Sequence, residues 1–71
     1  MKEEGKIYGW VTIDEDECLR FWRYPYKPHR ASTEWFNNED GQFFSLDPSK
    51  MFKELKFTDD PVEVEITIKR L

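Results

Sequence analysis

The sequence predicts a mainly β domain, on the α+β borderline. It has five short antiparallel strands in a curled sheet or small partly open barrel, and one short helix before the last strand. Three observations lead there. Val62, Val64, Ile66 and Ile68 alternate with Glu63, Glu65, Thr67 and Lys69, the period-two, β-branched pattern of a half-buried strand. Turn-forming residues cluster at 14–17, 25–30, 37–41 and 58–61 and leave only short segments between them. Within LDPSKMFKEL, Asp47 is a fit N-cap and Pro48 suits the first helical position. The 71 residues make one domain, 1–71, without repeat, low-complexity tract or linker.

Taken in order, KIYGWVTI and CLRFWRY form a hairpin around the acidic turn. A three-residue loop, Glu15–Asp16–Glu17, sets Asp14 opposite Cys18, Val11 opposite Phe21 and Ile13 opposite Leu19. The other side of the ribbon then pairs Tyr8 with Tyr24, Trp10 with Trp22 and Thr12 with Arg20, whereas a one-residue slip would mix Arg20 with the aliphatics. Such a loop ends in a left-handed residue, usually glycine, so Glu17 is a costly choice there. Residues 34–46 read as a second hairpin turning on Asp40–Gly41. The helix follows near residues 48–55, with Leu46 and Met51 as a hydrophobic staple and Met51, Phe52 and Leu55 on one face. Pro61 opens the final strand, where its missing N–H is tolerated. Two architectures fit this order, a small curled barrel or an open sheet with the helix on its aliphatic face. They differ in whether the face of Tyr8, Trp10, Trp22 and Tyr24 is covered.

A chain this short rarely draws more than about 3–5 kcal/mol from its core, so its twelve aromatics are the main reserve of buriable area. They also argue against disorder, despite 37% charged residues. Cys18 is the only cysteine, which rules out an internal disulfide and points to a reducing compartment, most simply the cytoplasm. With only Cys18 and His29 as soft ligands, a zinc site is not expected, nor is any other metal or cofactor. MKEEGK lacks the apolar core of an export signal and no apolar run nears membrane-spanning length, so neither export by that route nor a membrane partner is expected. The net charge of −4 is uneven: residues 14–17 carry −4, residues 18–33 carry +4 and residues 34–71 carry −4.

Nothing in the chain spells an enzyme. Cys18 and His29 are the only nucleophile–base pair of the thiol type, separated by a strand and a proline-bracketed loop. Arg20, on the same strand face, would lower the Cys18 pKa, but a small semi-buried strand residue is the simpler expectation. His29 reads as a solvated loop residue. Gly5, Gly9 and Gly41 form no phosphate-binding pattern. The acidic run lacks the ligand spacing and glycine of a calcium loop and reads as solvated charge. Mimicry of nucleic-acid phosphate by that run ranks third among binding functions, because eleven bases offset the fifteen acids.

The stretch 18–30, CLRFWRYPYKPHR, is the best functional candidate, with four aromatics, three arginines, one lysine and no acid. Tyr8, Trp10, Trp22 and Tyr24 on one sheet face, beside Arg20 and rimmed by Lys27 and Arg30, would stack bases and track phosphates of a single-stranded nucleic acid. The same aromatics would serve as core, covered by Phe43, Phe44, Phe52 and Phe57. Left exposed, they would bind protein, since interfaces are enriched in Trp, Tyr and Arg.

The runs GKIYGWVTIDEDECLRFW, YKPHR and ELKFTDDPVEVEITIKRL, with the isolated Trp35, carry G-W-V, K-P-x-R and D-x-P-x-E-V-E. In these the chain resembles a group of small uncharacterised proteins of prophages and integrated mobile elements of gut anaerobic bacteria. The resemblance implies a cytoplasmic accessory protein and brings no catalytic or ligand signature; relatives often have glycine where this chain has Glu17. The expectation is therefore a non-enzymatic interaction protein that binds another protein, or itself as a homodimer, through Tyr8, Trp10, Arg20, Trp22, Tyr24, Lys27 and Arg30. The alternative is a single-stranded nucleic-acid-binding module using the same surface.

Overall fold

The computed structural model describes residues 4–37 and 43–70. Six strands appear: β1 (Glu4–Ile13), β2 (Leu19–Arg23), β3 (His29–Arg30), β4 (Trp35–Phe36), β5 (Phe43–Leu46) and β6 (Val62–Lys69). Four of them form an antiparallel sheet in the order β5-β2-β1-β6, and β3 and β4 form a separate two-stranded piece. The sheet is open, with β5 and β6 at its edges, so the barrel alternative does not hold. The molecule measures 47 × 28 × 15 Å.

The first hairpin has the register that the alternation predicts. Trp10 lies opposite Trp22, Val11 opposite Phe21, Thr12 opposite Arg20 and Ile13 opposite Leu19. Asp14 N–H donates to the Cys18 carbonyl at 3.0 Å and Glu17 N–H to the Asp14 carbonyl at 2.9 Å. Glu17 takes φ 70°, the left-handed conformation that this loop length demands. A buried row on one face sets the register despite that local cost: a one-residue slip of β2 would turn Leu19 and Phe21 away from Val11 and Ile13 and bring Arg20 in their place.

Those four residues are the core, and Ile7, Leu46, Leu55, Val64 and Ile66 pack around them. Each fully buried large side chain contributes about 1.5–3 kcal/mol by leaving water. The last strand pairs with β1 as expected of a half-buried strand, from Glu4 opposite Lys69 to Val11 opposite Val62. Its Val and Ile side chains therefore share the face of Ile7 and Val11, and its Glu and Thr side chains share the face of Tyr8 and Trp10.

Two expectations need correction. The described residues of 34–46 do not pair with each other as a hairpin. Trp35 and Phe36 pair with Arg30 and His29, and Phe43–Leu46 pair with β2. His29 and Arg30 are thus strand residues, and the proposed turn at Asp40–Gly41 lies outside the described residues. Second, the helix near 48–55 is absent. Asp47 does cap locally, accepting from the Ser49 backbone N–H at 2.9 Å and the Ser49 hydroxyl at 2.6 Å, and Lys50 N–H closes one turn on the Asp47 carbonyl. Phe52 then adopts φ 53°, which stops propagation. Two turns are too short to persist without a buried face, and Met51 and Phe52 remain exposed while Leu55 alone reaches the core.

Gly9 marks the tightest point of the sheet. A Cβ there would collide with the Trp22 carbonyl oxygen and lie 2.8 Å from two ring carbons of Phe21. Gly9→Ala is expected to destabilise the domain by about 1–3 kcal/mol, read as a lower urea midpoint with an unchanged slope.

Candidate functional site

Strand pairing brings Tyr8, Trp10, Trp22 and Tyr24 to one face of the sheet, and their environments then diverge. Trp22 is 2% exposed; its indole N–H donates to Thr12 Oγ1 at 2.9 Å and its ring lies 5.1 Å from Phe43. It belongs to the interior and presents no stacking surface. Trp10 is half-buried and stacks on Tyr24 at 5.8 Å with 27° between the planes. Tyr8 and Tyr24 stay 55% and 63% exposed, held side by side by Tyr24 N–H donating to the Tyr8 carbonyl at 2.8 Å. Of the phenylalanines expected to cover this face, only Phe43 does so. Phe44 meets Phe21 on the opposite face, Phe57 meets Trp35, and Phe52 is exposed.

Two of the four cations are committed within the fold. Arg20 Nη1 pairs with Asp14 Oδ2 at 3.0 Å and its guanidinium lies 4.4 Å over Phe43. Arg30 donates to the Thr58 and Asp59 carbonyls at 2.9 and 3.1 Å and sits 4.8 Å over the Trp35 ring. Arg30 thereby joins the β3–β4 piece to the turn at 56–59. Lys27 is exposed, while its carbonyl accepts from Asn37 Nδ2 at 2.9 Å.

Sequence reasoning missed the acids on this face. The β1–β6 register sets Glu63 opposite Trp10 and Glu65 opposite Tyr8. Glu65 pairs with Lys6 at 3.3 Å, and Glu63 has no cation partner among the described residues. A notch of about 200 Å³ is lined by Tyr8, Gly9, Trp10, Tyr24, Glu63 and Val64. The alternation in 62–69 fixes which side of the strand these acids occupy, but only the pairing with β1 reveals what they face.

Asp14 was also missed, because it opens a run that reads as solvated charge. It is 3% exposed, and besides Arg20 it accepts the Trp35 backbone N–H on Oδ1 at 3.0 Å. The Trp35 indole N–H donates to the Ile13 carbonyl at 3.1 Å, completing the junction. A cavity of about 430 Å³ lies beside this junction, between Ile13, Glu17, Lys53 and Phe57.

No family model, curated protein or solved structure matches this chain.

Cys18 is exposed and precedes β2, rather than being semi-buried within it. Hydrogen bonding to the Asp16 carboxylate raises its thiol pKa above the ordinary 9.0, with desolvation and the Asp16 charge adding to the effect. Arg20 pulls the other way but more weakly, so the expected lowering does not occur. The same hydrogen bonds lower the Asp16 pKa. Asp14, Asp16 and Cys18 have potential ligand atoms within 4.8 Å of one another, but Arg20 and Trp35 already occupy the Asp14 oxygens and Cys18 N–H binds Asp16 Oδ1 at 3.2 Å.

Two outcomes follow from this chemistry. Asp14→Ala strands Arg20 and the Trp35 N–H, which is expected to cost about 3 kcal/mol or more and to leave the domain largely unfolded by circular dichroism at room temperature. Iodoacetamide should alkylate Cys18 with a rate midpoint above pH 9.0, because less thiolate is present at a given pH, and Asp16→Asn should return the midpoint towards 9.0.

Proposed function

We propose that this chain is a non-enzymatic interaction protein that engages another protein through the sheet face of Tyr8, Trp10 and Tyr24. The observation that carries this is the pairing of exposed aromatics with acids: Tyr8 and Tyr24 flank the half-buried Trp10, and Glu63 shares their notch. A basic side chain of the partner, arginine or lysine, fits that chemistry. Aromatic faces attract a cation by about 0.5–2 kcal/mol, and Glu63 supplies the countercharge. Beside the aromatics the face offers few free cations to a phosphate backbone: Arg20 and Arg30 are engaged internally, Lys6 is paired with Glu65, Lys69 lies at the far end of β6, and Glu63 and Glu65 stand opposite Trp10 and Tyr8. The single-stranded nucleic-acid reading is therefore the weaker of the two. The resemblance to small proteins of mobile elements implies a cytoplasmic accessory protein and leaves the partner open. Among the described residues no helix is long and apolar enough to cross a membrane.

Tryptophan fluorescence during titration with a hexa-arginine peptide and with a single-stranded oligonucleotide tests this. Saturable change with the peptide is expected, weakened about tenfold by Tyr24→Ala or Trp10→Ala, with no response to the oligonucleotide. A salt-sensitive response to the oligonucleotide that Tyr24→Ala abolishes would transfer the function to nucleic acid. Peptide binding indifferent to both substitutions would reduce the effect to net charge and remove the aromatic face from the function.

A further inference from the structure

The outer edge of β6 is a surface distinct from the aromatic ring cluster, although Glu63 borders both. β6 runs eight residues, Val62–Lys69, and pairs with β1 along its inner side only. Its outer row of N–H and C=O groups has no partner among the described residues. Natural edges are blunted by short strands, internal proline or charged side chains; among the described residues this one is long and free of internal proline, since Pro61 precedes the strand, and its charges are Glu63, Glu65 and Lys69. Val62 and Ile68 are large apolar residues left exposed at its two ends.

The charges along this edge are arranged unevenly. Glu63 and Glu65 lie in the first half and Lys69 at the end, all on the same face. A strand with acids at one end and a base at the other is complementary to an antiparallel copy of itself. We infer that two copies of this chain pair antiparallel along β6 about a two-fold axis at Ile66, giving one continuous eight-stranded sheet. In that register Glu63 faces Lys69 of the second copy, and Glu65 faces Thr67 of the second copy. Val64 faces Ile68 of the second copy on the apolar side, and Ile66 faces its counterpart. Every ladder group from Glu63 to Lys69 acquires a partner. Centring on Glu65 instead would set like carboxylates opposite each other, and centring on Thr67 would shorten the overlap to Glu65–Lys69. Neither Glu63 nor Lys69 has an ion-pair partner within the described residues, so the pairing breaks no existing bridge, and the Lys6–Glu65 pair lies on the inner side.

Charge reversal provides the test. Sedimentation velocity of the full chain across micromolar to millimolar concentration should show a monomer–dimer equilibrium. Glu63→Lys and Lys69→Glu each create two like-charge pairs in the dimer, so either variant alone should dissociate about tenfold more readily. An equimolar mixture of the two restores opposite charges at both positions and should regain the association. Both side chains are exposed, so circular dichroism should confirm an unchanged fold. Lys69→Glu also leaves Tyr8, Trp10, Tyr24 and Glu63 intact, which keeps this result separate from the peptide titration. A chain that stays monomeric at millimolar concentration overturns the inference. A dimer unaffected by either reversal, or a mixture that fails to recover, overturns it equally.

Discussion

The carboxylate of Asp14 ties the two β pieces together. It stands just past the end of β1, the longest strand, nearly out of water, with Arg20 on one oxygen and the Trp35 backbone N–H on the other. The β3–β4 piece has two short strands and no core of its own, so it holds its place only through such bonds. Trp35 answers by donating its indole N–H to the Ile13 carbonyl and stacking beneath Arg30, which reaches on to the turn at 56–59. Removal of one charge from a pair this far from water leaves the other uncompensated, so the junction is a single point of failure in a domain with little stability to spare.

The same junction determines what the surface presents. Residues 18–30 are the most basic part of the chain, yet Arg20 is drawn in by Asp14 and Phe43, and Arg30 by Trp35 and two carbonyls. Cations that look like ligands for phosphate in the linear sequence serve as internal fasteners in the fold. The β6 carboxylates arrive on the aromatic face by pairing with β1. A stretch that is basic in sequence thus borders aromatics that have carboxylates opposite them in space, Glu65 across from Tyr8 and Glu63 across from Trp10.

The parts of the fold legible in the sequence are those governed by alternation. The β1–β2 register, the division into an aliphatic and an aromatic face, and the final strand all follow from period-two patterning, because a slip of β2 would turn Leu19 and Phe21 away from Val11. Capping signals at Asp47 and Pro48 were real but local: they define one turn, and whether a helix continues depends on tertiary burial that Met51 and Phe52 do not receive. The β3–β4 piece was illegible because two-residue strands have no period, and Pro25 and Pro28 made the region read as loop. Trp10 and Trp22 are indistinguishable in a hairpin pattern; the arrival of Phe43 on the β2 side buries one and leaves the other at the surface. Asp14 carries no mark that separates it from Glu15, Asp16 and Glu17, since its role depends on a tryptophan 21 residues away.

The strand order also fixes a sequence of events during synthesis. β1 is the first strand made, and one of its two neighbours, β6, is the last. While the intervening residues are being made, β1 and β2 can zip together locally, but the other side of β1 stays open from Glu4 to Val11. Ile7 and Val11 then border an unfilled slot on a nascent chain, and only the arrival of Val62–Lys69 fills it.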